Sequence, residues 1–401
     1  MLRNNRGRNT LVGGLGRQMP ESNGFSRVMR TLESYSYNCR QVGLPGPELG
    51  PILRPGLHHG VTRDMRTAVV TTMVLAMALA IPGSAKVAEA AKSDNMIRIA
   101  TLAPRNSELI RGFIKIDREL KKATKDQWGL QLYPSGIAGD ETDVLHKMRV
   151  GQMDATAVTS VGLSQVLREL AVLTAPGAIE NYSQLEKVQA SLNHEWEQKL
   201  ADNGFKLLGW GEIGYLRYFT SAPLHKPSDL KALRPWVWPP AHTLKAMWTA
   251  IGCTGVPLGV PEVYGALQTK MIDAVVTSAL AAVALQWHAK LNFVTKRVLG
   301  PLVGGLVINN KKWDSIPEDV RNTLLEMIKR NYEGDSKNIR KDDQKAYEKL
   351  LTHGYTATEF TAQGEIDLKA VQKKARDSLV GRVYSKELLD RVMKITHPNG
   401  A

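Results

Sequence analysis

The stretch DLKALRPWVWPP, residues 229 to 240, sets Trp236 and Trp238 among three prolines. Indole rings on so stiff a segment offer large apolar faces and one N–H donor each, which suits noncovalent contact rather than bond-making. Trp210, Tyr215 and Trp287 could add to such a lining, and each could equally be core packing. Two arginines, Arg217 in GYLRYFT and Arg234 in the opening stretch, carry the fork that binds a carboxylate at two points. An ordinary salt bridge to a neighbouring acid is the other reading of each. Glu212 and His242 are the thin candidates for an acid–base pair. GDETD at 139 to 143 could hold a cation, but acidic residues also favour the positive end of a helix, and that reading is preferred. The sequence contains no G-x-S-x-G, H-E-x-x-H or P-loop, and no G-x-G-x-x-G that leads from a strand into a helix. A catalyst, a metal site or a cofactor is not expected.

These residues must be held by the elements around them. IRIATLA (97 to 103) has strand character, and Leu109, Ile110, Phe113, Ile116, Asp117 and Leu120 follow at helical spacing with Ser107 as N-cap. LQLYPSG reads as a strand, GDETDVLHKMRVGQ as a helix capped by Asp140, and DATAVTS as a third strand. Alternation of this kind predicts a parallel sheet with covering helices. A long helix over 183 to 203 leads into a strand over 205 to 221, and a helix ended by Gly252 follows the tryptophan segment. VPLGV and AVVTSAL read as strands around a short helix that starts near Pro261. GPLVGGLVINNKKWDSI is a strand and turn, and helices fill the rest. KMRVGQMDATAVTS (147 to 160) is echoed by ALQTKMIDAVVTSA (266 to 279), a repeated helix–turn–strand unit in which Asp154 and Asp273 could cap the turn. Two similar lobes imply a cleft, where ligands bind.

The chain has 401 residues and a net charge of +14, of which +8 is spread over residues 91 to 401 in mixed-sign helices. Such a spread is a solvated surface, and no nucleic-acid partner is expected. MRTAVVTTMVLAMALAIPGSAKVAEAA (65 to 91) has a basic start, an apolar run from Ala68 to Ile81 and small residues at Ala88-Glu89-Ala90, with Gly83-Ser84-Ala85 as second choice. It reads as a Sec signal peptide, with a retained amphipathic anchor as the alternative. Residues 1 to 64 are rich in Arg, Gly and Pro, and the expectation is that translation starts at Met65, leaving them a gene-model extension or a disordered tail. After cleavage Cys253 is the one remaining cysteine, so no disulfide is expected.

SAPLHKPSDLKAL (221 to 233), GVPLGVPEVYGALQTKMIDA (255 to 274) and GIAGDETDVLHKMRVGQMDATAVTS together resemble the solute-binding proteins of tripartite ATP-independent periplasmic (TRAP) transporters, the DctP-like family, over about residues 96 to 350. The resemblance implies an α/β, type II-like periplasmic binding protein with mixed sheets, covering helices and a long lobe-bridging helix. It also implies a small-molecule solute trapped by lobe closure and delivered to membrane permease subunits. The lobes would be 91–213 and 214–297, with 298–401 returning to the first and adding C-terminal helices. Where the family keeps an arginine for the ligand carboxylate this chain has Trp236, and Thr277 stands nearest the place of the family's asparagine, while Arg217 matches a family arginine. The expected ligand-binding set is Arg217, Trp236, Trp238, Trp210, Tyr215, Thr277, Glu262 and Tyr264. Exchange of guanidinium for indole favours a hydrophobic or weakly polar ligand, as in the subgroup that works with a helical-repeat (TPR-like) periplasmic partner. The alternatives are an organic-acid binder of the same family, a secreted α/β enzyme, and an interaction protein that carries no solute.

Overall fold

The computed structural model describes residues 95–398. The signal peptide reading and everything before it therefore lie outside the described residues. Among the described residues there are ten strands: β1 (Met96–Thr101), β2 (Gly129–Tyr133), β3 (Ala155–Thr159), β4 (Phe205–Thr220), β5 (Trp236–Val237), β6 (Val256–Pro257), β7 (Ala274–Thr277), β8 (Phe293–Thr295), β9 (Gly300–Asn309) and β10 (Thr356–Thr358). The helices that matter below are α1 (Glu108–Ala123), α2 (Glu141–Arg149), α3 (Tyr182–Asp202), α4 (His242–Ile251), α5 (Val263–Gln268), α6 (Ala279–Ala284), α7 (Glu318–Thr352), α8 (Ala362–Asp377) and α9 (Lys386–Thr396). Sequence and structure agree at several ends. Ser107 accepts from Ile110 N, Asp140 accepts from Glu141 N, and Gly252 closes α4 in the left-handed region. VPLGV shrinks to the two residues of β6, and AVVTSAL stops as a strand at Thr277 because Ser278 caps α6.

Strand order is β10-β8-β4-β9-β3-β1-β2, with β7 also on β4, and β5 and β6 form a separate parallel pair. The first part of β4, Phe205 to Leu216, lies antiparallel to β9, whereas Arg217 to Thr220 pairs with β7. One long strand thus passes from a first lobe, built on β1, β2, β3 and β9, into a second, built on β7, β8 and β10. Helix α7 makes the same passage. Its Val320, Leu324 and Ile328 join the core under β1 and α1, while Ala346 and Leu350 join the core that holds Phe219 and Val275. A 35-residue helix is long enough to serve two cores. After α7, α8 packs on α4 and α9 packs on α3.

The repeated motif has a structural counterpart, with a different role for its aspartates from the expected turn cap. Asp154 Oδ2 accepts from Arg98 N and Nε at 2.8 and 2.9 Å, and Asp154 N donates to Arg98 O. In the second lobe Asp273 accepts from Arg234 N at 2.6 Å and from its Nε and Nη2, and Asp273 N donates to Arg234 O. Each aspartate ties the start of its strand to an arginine on the neighbouring segment. Arg234 is therefore engaged as a salt bridge. The Asp154 side chain is 4% exposed and that of Asp273 15%. Asp154→Asn should cost roughly 2–3 kcal/mol and Asp273→Asn about 1 kcal/mol, because solvent screens the second pair more. Urea unfolding checks the order; equal losses would show that burial does not set it.

Candidate ligand-binding site

Between the lobes lies a cavity of about 610 Å³, within the range of small-molecule sites. Its wall carries Trp236, Trp238 and Trp287 together with aliphatic side chains from both lobes, Val158 and Val161 on one side and Leu244, Met247, Val276 and Leu280 on the other. Trp236 stacks on Trp238 at 6.4 Å and 23°, and meets Trp287 edge-on at 5.2 Å. Both indole N–H groups of the WVW segment are already used. Trp236 Nε1 donates to Leu258 O, and Trp238 Nε1 to Asp140 Oδ2, each at 2.9 Å. A guest therefore meets their apolar faces and not their donors.

The polar groups of the wall are also mostly engaged. Thr174 and Thr243 hydroxyls are 3.0 Å apart, and Glu212 holds a two-point ion pair with Arg340. Among the described lining residues Arg111 is the one arginine, and it is paired with Glu108 on the exposed part of α1. Glu141 differs from these. It follows the cap of α2, is 3% exposed, and turns inward rather than to solvent. Its Oε1 accepts from Thr159 N at 2.8 Å, and its Oε2 lies 2.9 Å from Thr159 Oγ1. Gly162 makes room for it, since a Cβ there would sit 2.2 Å from Glu141 Oε2. Burial pushes the Glu141 carboxyl up to about 8, against the lowering by its hydrogen bonds to Thr159, so it holds its proton at neutral pH. In that state the Glu141–Thr159 pair owns two O–H hydrogens for one internal hydrogen bond. One is left over from that bond.

Of the expected set, Trp236, Trp238 and Thr277 line the cavity, as does Trp287. Arg217, Trp210, Tyr215, Glu262 and Tyr264 are not among its lining residues. Arg217 is buried with Nη1 on Thr295 O and Lys296 O, and its guanidinium lies over the Tyr347 ring at 4.2 Å. Trp210 packs edge-on against Trp196 and donates to Asn193. Tyr215 packs against Tyr182, and its hydroxyl accepts from Tyr182 N. Glu262 accepts from Gly259 N and so shapes the turn before α5, and Tyr264 packs against the second-lobe core. Glu212 and His242 are not a pair: Glu212 is held by Arg340, and His242 is kept neutral more readily by its burial and by Arg168 and Lys245. Glu141 and Thr159 were missed, because GDETD announces a helix start and says nothing of which carboxyl turns inward.

The family model for bacterial extracellular solute-binding protein, family 7 (DctP), matches residues 99–383. A C4-dicarboxylate-binding periplasmic protein of Rhodobacter capsulatus is 23% identical over 331 residues, 80% of this chain and 96% of that one. A 2,3-diketo-L-gulonate-binding periplasmic protein of Escherichia coli is 25% identical over 251 residues, 60% of this chain and 74% of the relative. A TRAP periplasmic solute-binding protein of Shewanella oneidensis solved with bound succinate aligns with TM-score 0.70 and 16% identity, over 75% of this chain and 99% of that one. One of Desulfovibrio salexigens solved with bound orotic acid aligns with TM-score 0.69 and 16% identity, over 76% and 99%. These solved proteins share the two-lobed fold. The ligands recorded for the relatives are organic acids, which fit the organic-acid alternative better than the expectation of a hydrophobic ligand. The family consists of transport components that bind solute for membrane permease subunits and are not enzymes, and with 99–383 matched this chain belongs to the DctP family of TRAP periplasmic solute-binding proteins.

Proposed function

We propose that this protein binds an organic acid with a bulky apolar body and hands it to TRAP permease subunits. The acid group is suggested by the relatives, whose recorded ligands include succinate and orotic acid. The apolar body is suggested by the observation that carries the reading: a cavity of about 610 Å³ faced by three tryptophans. Each ring that a guest covers contributes roughly 2–3 kcal/mol. A buried carboxylate without a partner is costly, so the acid needs a donor in the wall. With Arg217 turned onto Tyr347, the spare O–H of the Glu141–Thr159 pair is that donor. Small dicarboxylates fit this arrangement poorly, because their second charge would face the tryptophan wall.

A thermal-shift series of succinate, octanoate, phenylacetate and indole-3-acetate separates the cases. Stabilisation by the three monocarboxylates and not by succinate is the expected result. Stabilisation by succinate alone would leave the small-dicarboxylate reading in place. Trp236→Ala should weaken binding of the monocarboxylates about 30-fold or more, from the loss of one aromatic contact. Closure around the guest follows from its greater affinity for the closed lobes. A helical-repeat partner is not part of this proposal, since membership of the family says nothing of that subgroup. Export through the signal at 65 to 90 is part of it, and N-terminal sequencing of the exported protein should begin at Ala91. A mature form that retains Cys39 would contradict that start.

A further inference from the structure

Asp140 is placed where the two lobes meet beside the cavity. It caps α2 of the first lobe through Oδ1, which accepts from Glu141 N at 2.7 Å. Its other oxygen, Oδ2, accepts from two groups of the second lobe, Trp238 Nε1 at 2.9 Å and Val260 N at 3.1 Å. Nothing in helix capping requires these last two bonds. The Val260 amide is aimed by its own turn, in which Glu262 accepts from Gly259 N at 2.7 Å. Gly259 is needed there, since a Cβ would lie 2.9 Å from Asp140 Oδ2. Trp238 in turn stacks on Trp236, so the carboxylate reaches the aromatic wall at one remove.

We infer that Asp140 is a positioning residue that couples lobe closure to the aromatic wall: one carboxylate is shared between a helix cap on one lobe and an indole N–H and a backbone N–H on the other. It does not touch the guest. When the lobes separate, Trp238 loses its acceptor and the ring is free to leave its stacked place, so the wall is complete in the closed form. Hydrogen bonds to a charged acceptor are the stronger ones, and loss of the pair should shift the opening equilibrium about tenfold or more. The inference rests on the reading of the cavity as the solute site but not on which acid fills it.

The test uses spin labels on exposed residues of each lobe, Lys115 and Lys270, and pulsed electron–electron distance measurement on the full exported protein without added solute. Asp140→Ser keeps a good cap yet cannot reach Trp238 or Val260. Trp238→Phe keeps the ring body and removes the N–H. Both should move the distance distribution toward the open form, and the double variant should open no further than Asp140→Ser alone. Melting temperature of the Ser variant should stay near that of the parent, which separates latch from cap. Unchanged distances in both variants would overturn the inference, as would additive opening in the double variant. With indole-3-acetate added, the parent should close further. If it does not while the variants still open, the choice of ligand fails and the role of Asp140 stands.

Discussion

Glu141→Gln should make the protein more stable above about pH 6 and flatten its dependence on pH. In the folded chain the Glu141 carboxyl holds its proton to about 8, while a free glutamate loses it near 4.5. The folded state therefore binds more protons across that window, and stability falls as pH rises from the lower value to the upper. Below the window Glu141 adds no penalty, and above it the full penalty is present. A shift of this size corresponds to roughly 4–5 kcal/mol at its upper end. Glutamine fills the same space and keeps an oxygen for Thr159 N, so it should remove most of that slope. Denaturant unfolding of the parent and Glu141→Gln at pH 5, 7 and 9 gives the comparison; parallel curves would mean that Glu141 is ionised in the folded chain. Binding should follow the same group. A carboxylate guest meets a spare hydrogen below about pH 8 and an ionised acid above it, so affinity of the parent falls there. Glutamine keeps N–H donors at every pH, and its affinity should not fall.

The second large effect is expected at Gly214, where β4 passes between lobes. The backbone has φ +118° there, outside what residues with a Cβ adopt readily. A Cβ would also stand 2.5 Å from Asp343 Cγ and 2.7 Å from Ser278 Cβ. Asp343 comes from α7 and is 3% exposed, with Oδ2 accepting from Tyr215 N and Oδ1 from Leu280 N, both at 2.9 Å. Ser278 Oγ donates to Ile213 O at 2.7 Å. Crossing strand, bridging helix and the start of α6 thus meet at one buried carboxylate. Gly214→Ala should cost roughly 3–5 kcal/mol, from backbone strain plus displacement of Asp343. Asp343→Ala should cost about 3 kcal/mol by leaving buried amides without an acceptor. Because both changes disturb one junction, the double variant should cost less than the sum. Additive losses in urea unfolding would show that Gly214 and Asp343 act apart.

The order of elements was legible because apolar spacing and caps report local geometry. Ile110, Phe113, Ile116 and Leu120 form the buried stripe of α1, and Ser107 caps it. Asp117, read on that stripe, instead accepts from Leu130 N and ties α1 to β2. What the sequence could not reveal is which face β4 turns to the cleft. Register against β9 shifts between Leu207 and Gly209 and again between Glu212 and Gly214. Each shift changes the alternation that assigns side chains to faces. Gly211, Glu212, Ile213 and Leu216 accordingly line the cavity, whereas Trp210, Tyr215 and Arg217 do not. The tryptophan segment was readable for the opposite reason. Its prolines fix it, and β5 pairs with β6 at Trp236, which leaves the rings one direction to face.

Native mass spectrometry of the protein purified from the periplasm of its own host puts the occupant of the cleft on view. An adduct with the mass of a monocarboxylic acid bearing a large apolar body, lost in Trp236→Ala, is the predicted result. A bound succinate-sized dicarboxylate that survives that substitution would contradict it, because the indole wall would then have no part in holding the guest.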